Sequence, residues 1–161
     1  MGFDSETAFE SALIKCLVEE KGWKDGVIKY PTEKDLLDNW AKIIFENNRD
    51  IDRLGDFPMT DGEMAQIMGQ IAKLRTPLNL NGFINGGTVQ IIRDNENDTH
   101  NFKKTISLKI FDRNEIAAGR TRYQIAQQPK FKAKNSIYPN LRGDFCLLIN
   151  GMPVIHVELK K

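Results

Sequence analysis

The chain has 161 residues, a net charge of +1, and 40% hydrophobic and 28% charged residues, a balance that excludes disordered and fibrous classes. A chain of this length buries enough surface to fold around one core without disulfide or metal staples. Its longest uninterrupted apolar stretch, Phe145 to Ile149, is far short of the ~20 residues of a membrane helix, and no basic-then-apolar signal opens the chain, so no membrane partner is expected.

The net charge hides a strong asymmetry. Met1 to Glu63 carries 15 acidic against 8 basic residues, whereas Asn101 to Lys161 carries 12 basic against 4 acidic. Two explanations stand side by side: a basic second half suited to a polyanion such as nucleic acid, or two halves that attract each other within the fold. Cys16 and Cys146 each lie among apolar residues. They read as reduced, buried thiols of a cytoplasmic protein, and no C-x-x-C zinc pattern exists.

In chain order, the first half reads as helices. Phe9, Leu13, Cys16 and Leu17 follow helical spacing after a Thr7/Glu10 capping-box signature, and Gly22 ends the pattern. Leu37, Trp40, Ala41 and Ile44 share a face of a second helix between Thr32 and Asn47. A third starts at Thr60-Asp61-Gly62-Glu63, another S/T-x-x-E signal, and runs through Met64, Ile67, Met68 and Ile71. Beyond Pro77 the pattern turns to β, with strands expected at Thr88–Arg93, Thr105–Phe111, Arg122–Gln127, Asp144–Asn150 and Pro153–Lys160. The polar run Asp94 to Asn101 joins two antiparallel strands and keeps His100 in solvent. The expectation is a single domain over residues 1–161, mainly helical over 1–75 and mainly β over 76–161.

The chemistry concentrates in the last twenty residues. Asn150-Gly151 between two apolar runs predicts a hairpin, because both residues accept positive φ. Glu158 and Lys160, two apart on a strand, share a face. Whether Asp144 joins them depends on register. A regular two-residue loop pairs Asp144 with Val157 and turns it away, whereas a three-residue connection Asn150-Gly151-Met152, or a bulge in one strand, sets it across from Glu158. One of those two irregularities is expected. Two carboxylates that close repel unless a cation lies between them, and oxygen ligands favour Mg²⁺, with Mn²⁺ able to substitute. Lys160 is then a catalytic candidate beside Asp144 and Glu158, suited to orienting water and stabilising charge on phosphate. His156, two residues before Glu158, lies on the same strand face, either as a packed neighbour or as a participant.

Asp144, thirteen residues and then Glu158-Leu159-Lys160 resembles the PD-(D/E)xK nuclease motif. The longer string of Arg142, Asp144, Leu147, Asn150, Gly151, Pro153, Glu158, Leu159 and Lys160 is similar to one branch, the N-terminal nuclease domain of the R (restriction and translocation) subunit of type I restriction-modification enzymes. The opening helix, Glu6, Phe9, Glu10, Leu13, Ile14 and Leu17, fits the same family, as does Tyr123-x-Ile125-x-x-Gln128, with Tyr where the family has Phe. Gly143 replaces the family's proline.

The resemblance implies a restriction-endonuclease-like α/β fold, a mixed sheet flanked by N-terminal helices. It implies Mg²⁺ held by Asp144, Glu158 and the Leu159 backbone carbonyl, with Lys160 assisting the attacking water and Glu10 or Glu6, Gln128 and Arg142 as accessory residues. Double-stranded DNA and the methyltransferase and specificity subunits are the implied partners. The family continues into a Q-x-x-x-Y helix and a motor that uses ATP, so this chain, which has no Walker motif, reads as part of a larger polypeptide. Basic residues from Lys103 to Lys134, including Lys104, Lys109, Arg113, Arg120, Arg122, Lys130 and Lys132, are candidate phosphate contacts. Another PD-(D/E)xK nuclease, or a non-cleaving DNA-binding or assembly module, are the competing readings.

Overall fold

Ser5, not Thr7, starts the first helix. In the computed structural model, which describes residues 5–132 and 140–160, the Ser5 hydroxyl accepts from the Ala8 N–H at 3.1 Å and α1 runs Glu6–Glu20. The Thr7/Glu10 capping box therefore does not form, and Glu10 is buried one turn into the helix. Gly22 takes φ +81, the left-handed turn that glycine adopts without strain, and the Trp23 N–H returns to the Leu17 carbonyl.

The remaining elements are β1 (Val27–Lys29), α2 (Glu33–Asn47), α3 (Asp61–Ile71), α4 (Pro77–Ile84), β2 (Thr88–Ile92), β3 (Thr105–Lys109), α5 (Arg113–Ala117), β4 (Tyr123–Gln127), β5 (Lys130–Lys132), β6 (Asn140–Arg142), β7 (Phe145–Ile149) and β8 (Met152–Val157). All five expected strands form. β1, β5 and β6 have three residues each, too few for alternation to announce them. Contacts divide the chain into two compact units, Met1–Leu36 with Arg122–Lys161, and Leu37–Thr121.

The first unit holds a four-stranded sheet in the order β1-β4-β7-β8. β1 and β4 are parallel and the other pairs antiparallel, so this is the expected mixed sheet with helices against it. Alternation splits its apolar residues between two faces. On one, Ile125, Phe145 and Leu147 pack against Ile14 of α1, with Leu13, Leu17, Val157 and Leu159 around them. On the other, Ala126, Cys146 and Leu148 pack against Leu36, with Ile28 and Phe131 beside them.

The second unit holds the antiparallel β2-β3 ribbon. A two-stranded ribbon is marginal alone, and here side-chain amides satisfy its outer edges. Gln66 of α3 accepts from the Ile92 N–H at 2.8 Å and donates to the Ile92 carbonyl at 3.0 Å, while Gln70 donates to Gln90. Asn48, fully buried, donates to the Lys109 carbonyl and accepts from the Lys109 N–H at 2.9 and 2.8 Å. Asn48→Ala strands both Lys109 groups. It is expected to cost about 2–3 kcal/mol in a urea melt, on the scale of a buried unsatisfied pair. The Thr60/Glu63 capping box forms as expected. In α2 the buried residues are Leu36, Trp40, Ile43 and Ile44, one position off the expected face at Leu37.

No helix among the described residues is long and apolar enough to cross a membrane.

Candidate active site

The turn between β7 and β8 has two residues, with Asn150 at φ +49 and Gly151 at φ +83, and Ile149 pairs with Met152. The three-residue connection is thus not formed, and the alternative irregularity is. Leu148 pairs with Pro153 but Leu147 pairs with Ile155, leaving Val154 as an extra residue in β8. From there Cys146 opposes His156 and Phe145 opposes Val157. Asp144 and Glu158 are the next residues along the two chains beyond the Phe145–Val157 pair, and one extra residue in a strand is what their facing each other across a two-residue turn requires. Asn150 locks the turn to the start of β4: its N–H donates to the Arg122 carbonyl and its Oδ1 accepts from the Arg122 N–H.

Asp144 directly precedes β7. Its Oδ2 accepts from the Leu159 N–H, which ties the chain between Glu158 and Lys160 to the Asp144 carboxylate. Leu159 turns its side chain into the α1-side cluster, while Glu158 and Lys160 are exposed. His156 is half-exposed, its Nε2 4.0 Å from Glu158 Oε1. A Cβ at position 143 would lie 2.5 Å from that Nε2, so Gly143, the departure from the family's proline, leaves room for the imidazole. Burial pushes the Cys146 thiol up, which keeps it protonated beside the site.

Behind this end of the sheet, Glu10 is 4% exposed and accepts from Gln127 Nε2 at 2.7 Å and from Gln128 Nε2 at 3.2 and 3.3 Å. Glu6 is exposed on the first turn of α1. Arg142 ends β6, and its side chain, like those of Lys132, Asn140 and Leu141, lies outside the described residues, as does Lys134. Gln127 was not singled out by its sequence; the only available signal was its adjacency to Gln128. Of the basic candidates, Lys103, Lys104, Lys109, Arg113 and Arg120 belong to the second unit, and Arg122 and Lys130 to the first. Lys109 is engaged by Asp112 at 3.2 Å.

Among the described residues no three His, Cys, Asp or Glu side chains could together hold a metal ion. Two carboxylates and a backbone carbonyl are nevertheless an all-oxygen donor set, and Mg²⁺ commonly uses only one or two carboxylates and keeps water on its other positions. The donor chemistry at Asp144, Glu158 and Leu159 fits that ion.

Residues 4–161 match the family described as the type I restriction enzyme R protein N terminus, and the chain belongs to that family. It is 28% identical over 165 residues to the type I restriction enzyme SsaAORF53P endonuclease subunit of Staphylococcus saprophyticus. It is likewise 28% identical over 163 residues to the SauCOLORF180P endonuclease subunit of Staphylococcus aureus. Both alignments cover the whole of this chain, which spans about 15% of the length of those relatives.

Proposed function

We propose that this domain hydrolyses DNA phosphodiester bonds with Mg²⁺ as the PD-(D/E)xK nuclease module of a type I restriction enzyme R subunit. The observation that supports the reading is the Val154 bulge, the irregularity that Asp144 and Glu158 need in order to face each other in a hairpin with a two-residue turn. The names of the relatives, endonuclease subunits of type I restriction enzymes, support it.

Asp144, Glu158 and the Leu159 carbonyl would hold Mg²⁺ or Mn²⁺. When bound, the ion supplies charge neutralisation at the scissile phosphate and lowers the pKa of water. Lys160, exposed two residues beyond Glu158, orients the attacking water and stabilises charge developing on the phosphate. The Asp144–Leu159 hydrogen bond fixes the Glu158-Leu159-Lys160 segment relative to Asp144. Basic residues including Lys130 seat duplex DNA through its phosphates without reading its sequence. Assembly with methyltransferase and specificity subunits in the cytoplasm, and ATP-driven translocation by another region, are part of the same proposal for the full R subunit.

Calorimetric titration of Mn²⁺ tests it. Saturable binding is expected in the wild type and is abolished in both Asp144→Ala and Glu158→Ala, with circular dichroism unchanged. Absence of binding to the wild type, or binding that survives both substitutions, would sink the reading in favour of a non-cleaving module.

A further inference from the structure

Gln127 ends β4 and Gln128 follows it; continued alternation would send the two side chains to opposite faces, yet both deliver their amides to one carboxylate, that of Glu10. The cause is the backbone of Gln128. It takes φ +49, a left-handed conformation uncommon for a residue with a Cβ, and this breaks the alternation and turns the second glutamine back onto the side of the first. Such a conformation persists only where its surroundings over-determine it. Here they do: Gln128 is held at its side chain by Glu10 and at its backbone N–H by the Asp144 carbonyl, at 2.7 Å. The next residue, Pro129, accepts from the Gly143 N–H at 3.3 Å, so both residues at the entry to β7 are anchored to this kink.

Glu10 itself needs explaining. It is 4% exposed, and its hydrogen-bond partners among the described residues are amide N–H donors, with no basic side chain among them. Burying a carboxylate is costly unless hydrogen bonds replace its water. Two amides aimed at it do so, and the carboxylate in turn fixes which end of each amide faces inward, since it can only accept. A continuous chain of hydrogen bonds results. It runs from Glu10 on α1 to the Gln128 side chain, through the Gln128 backbone to the Asp144 carbonyl, and from the Asp144 carboxylate to the Leu159 N–H between Glu158 and Lys160.

We infer that Glu10 is a positioning residue that acts as a hydrogen-bond acceptor: by clamping Gln128 in its left-handed conformation, it sets the backbone of Asp144 and hence the carboxylate geometry of the site. The inference rests on the proposed nuclease reading for its consequence but not for its geometry. Outer hydrogen-bond partners of this kind change metal affinity by roughly 10–100-fold.

The test uses two readouts on the 161-residue chain. The first is the chemical shift and exchange protection of the Leu159 amide proton, which reports the Asp144 contact with no metal present. The second is Mn²⁺ affinity by calorimetry. Glu10→Ala is expected to move the Leu159 amide and weaken Mn²⁺ roughly tenfold or more. Glu10→Gln keeps one acceptor oxygen for Gln127, and the Gln128 amide can turn its own oxygen to the new NH2 group, so the variant is expected to restore the amide signal and bring affinity within about threefold of wild type, since hydrogen bonds, not charge, hold the clamp. Should Glu10→Ala fail to fold, Gln128→Gly keeps the backbone turn without strain but removes the clamped side chain, and is expected to give the same two changes. An unmoved Leu159 amide in folded Glu10→Ala or Gln128→Gly overturns the inference. So does a loss of affinity in Glu10→Gln as large as in Glu10→Ala, because that pattern belongs to a charge acting directly. If the wild type binds no Mn²⁺, the nuclease reading fails, and the amide signal still decides whether Glu10 positions Asp144.

Discussion

On the proposed nuclease reading, an R subunit carrying Lys160→Ala is expected to lose DNA cleavage by about 10²–10³-fold, the usual loss when one group stabilising transition-state charge is removed, while folding and binding Mn²⁺ like the wild type. The fold is spared because Lys160 is exposed and lies beyond the last residue of β8. Metal binding is spared because an ammonium is no ligand, and removing a positive charge beside two carboxylates does not weaken their hold on a cation. Plasmid cleavage with matched Mn²⁺ titrations checks both halves. Cleavage at the wild-type rate would remove Lys160 from the mechanism, and a parallel loss of metal affinity would make its role structural.

Arg93→Ala is expected to destabilise the second unit by about 3–5 kcal/mol, the cost of leaving buried charges without their partner, against a total of about 5–15 kcal/mol for an ordinary domain. Arg93 is fully buried and its guanidinium makes four hydrogen bonds. It donates to Glu63 at 2.6 Å, to Asp98 at 2.9 Å, and to the Phe57 and Pro58 carbonyls at 2.6 and 3.3 Å. Glu63 is equally buried and also accepts from the backbone N–H groups of Thr60 and Asp94. Urea unfolding followed by circular dichroism measures the loss, and a change below about 1 kcal/mol would contradict it.

Asp98 makes stability depend on pH. Burial pushes the Asp98 carboxyl up, but hydrogen bonds from Arg93 and Asn101 and the charge of Arg93 outweigh it and hold the group below the usual carboxylate range. A carboxyl lowered in the folded state contributes stability that is complete above its unfolded pKa of about 3.9 and is lost as pH falls through the lower folded value. The wild type should therefore lose stability below about pH 4, and Asp98→Asn should flatten that part of the profile.

What was legible in the sequence was local. Asn150-Gly151 announced its turn because few residues accept positive φ, and Thr60 with Glu63 announced a helix start because both halves of that capping box lie within four residues. The matching signature at Thr7 and Glu10 misled for a physical reason. Ser5 offers an equal hydroxyl two residues earlier, and the competition is settled by amides 117 and 118 residues away in sequence, which draw Glu10 inward. The buried role of Arg93 was hidden likewise, since Glu63 precedes it by 30 residues. For the bulge, register arithmetic could demand one extra residue but could not choose between turn and strand. A regular I′-type Asn-Gly turn matches the twist of its strands, so the irregularity moved into β8, an edge strand of the sheet.

That extra residue gives the hairpin a parity. A two-residue turn in a regular ladder always leaves an even number of residues between paired positions, and thirteen separate Asp144 from Glu158. Along a lineage, residues can enter or leave this hairpin in twos with the carboxylates still facing each other. Loss of the extra residue in β8 would itself leave twelve, the even number that a regular ladder pairs directly, so the bulge and the residue that makes it can only be lost together.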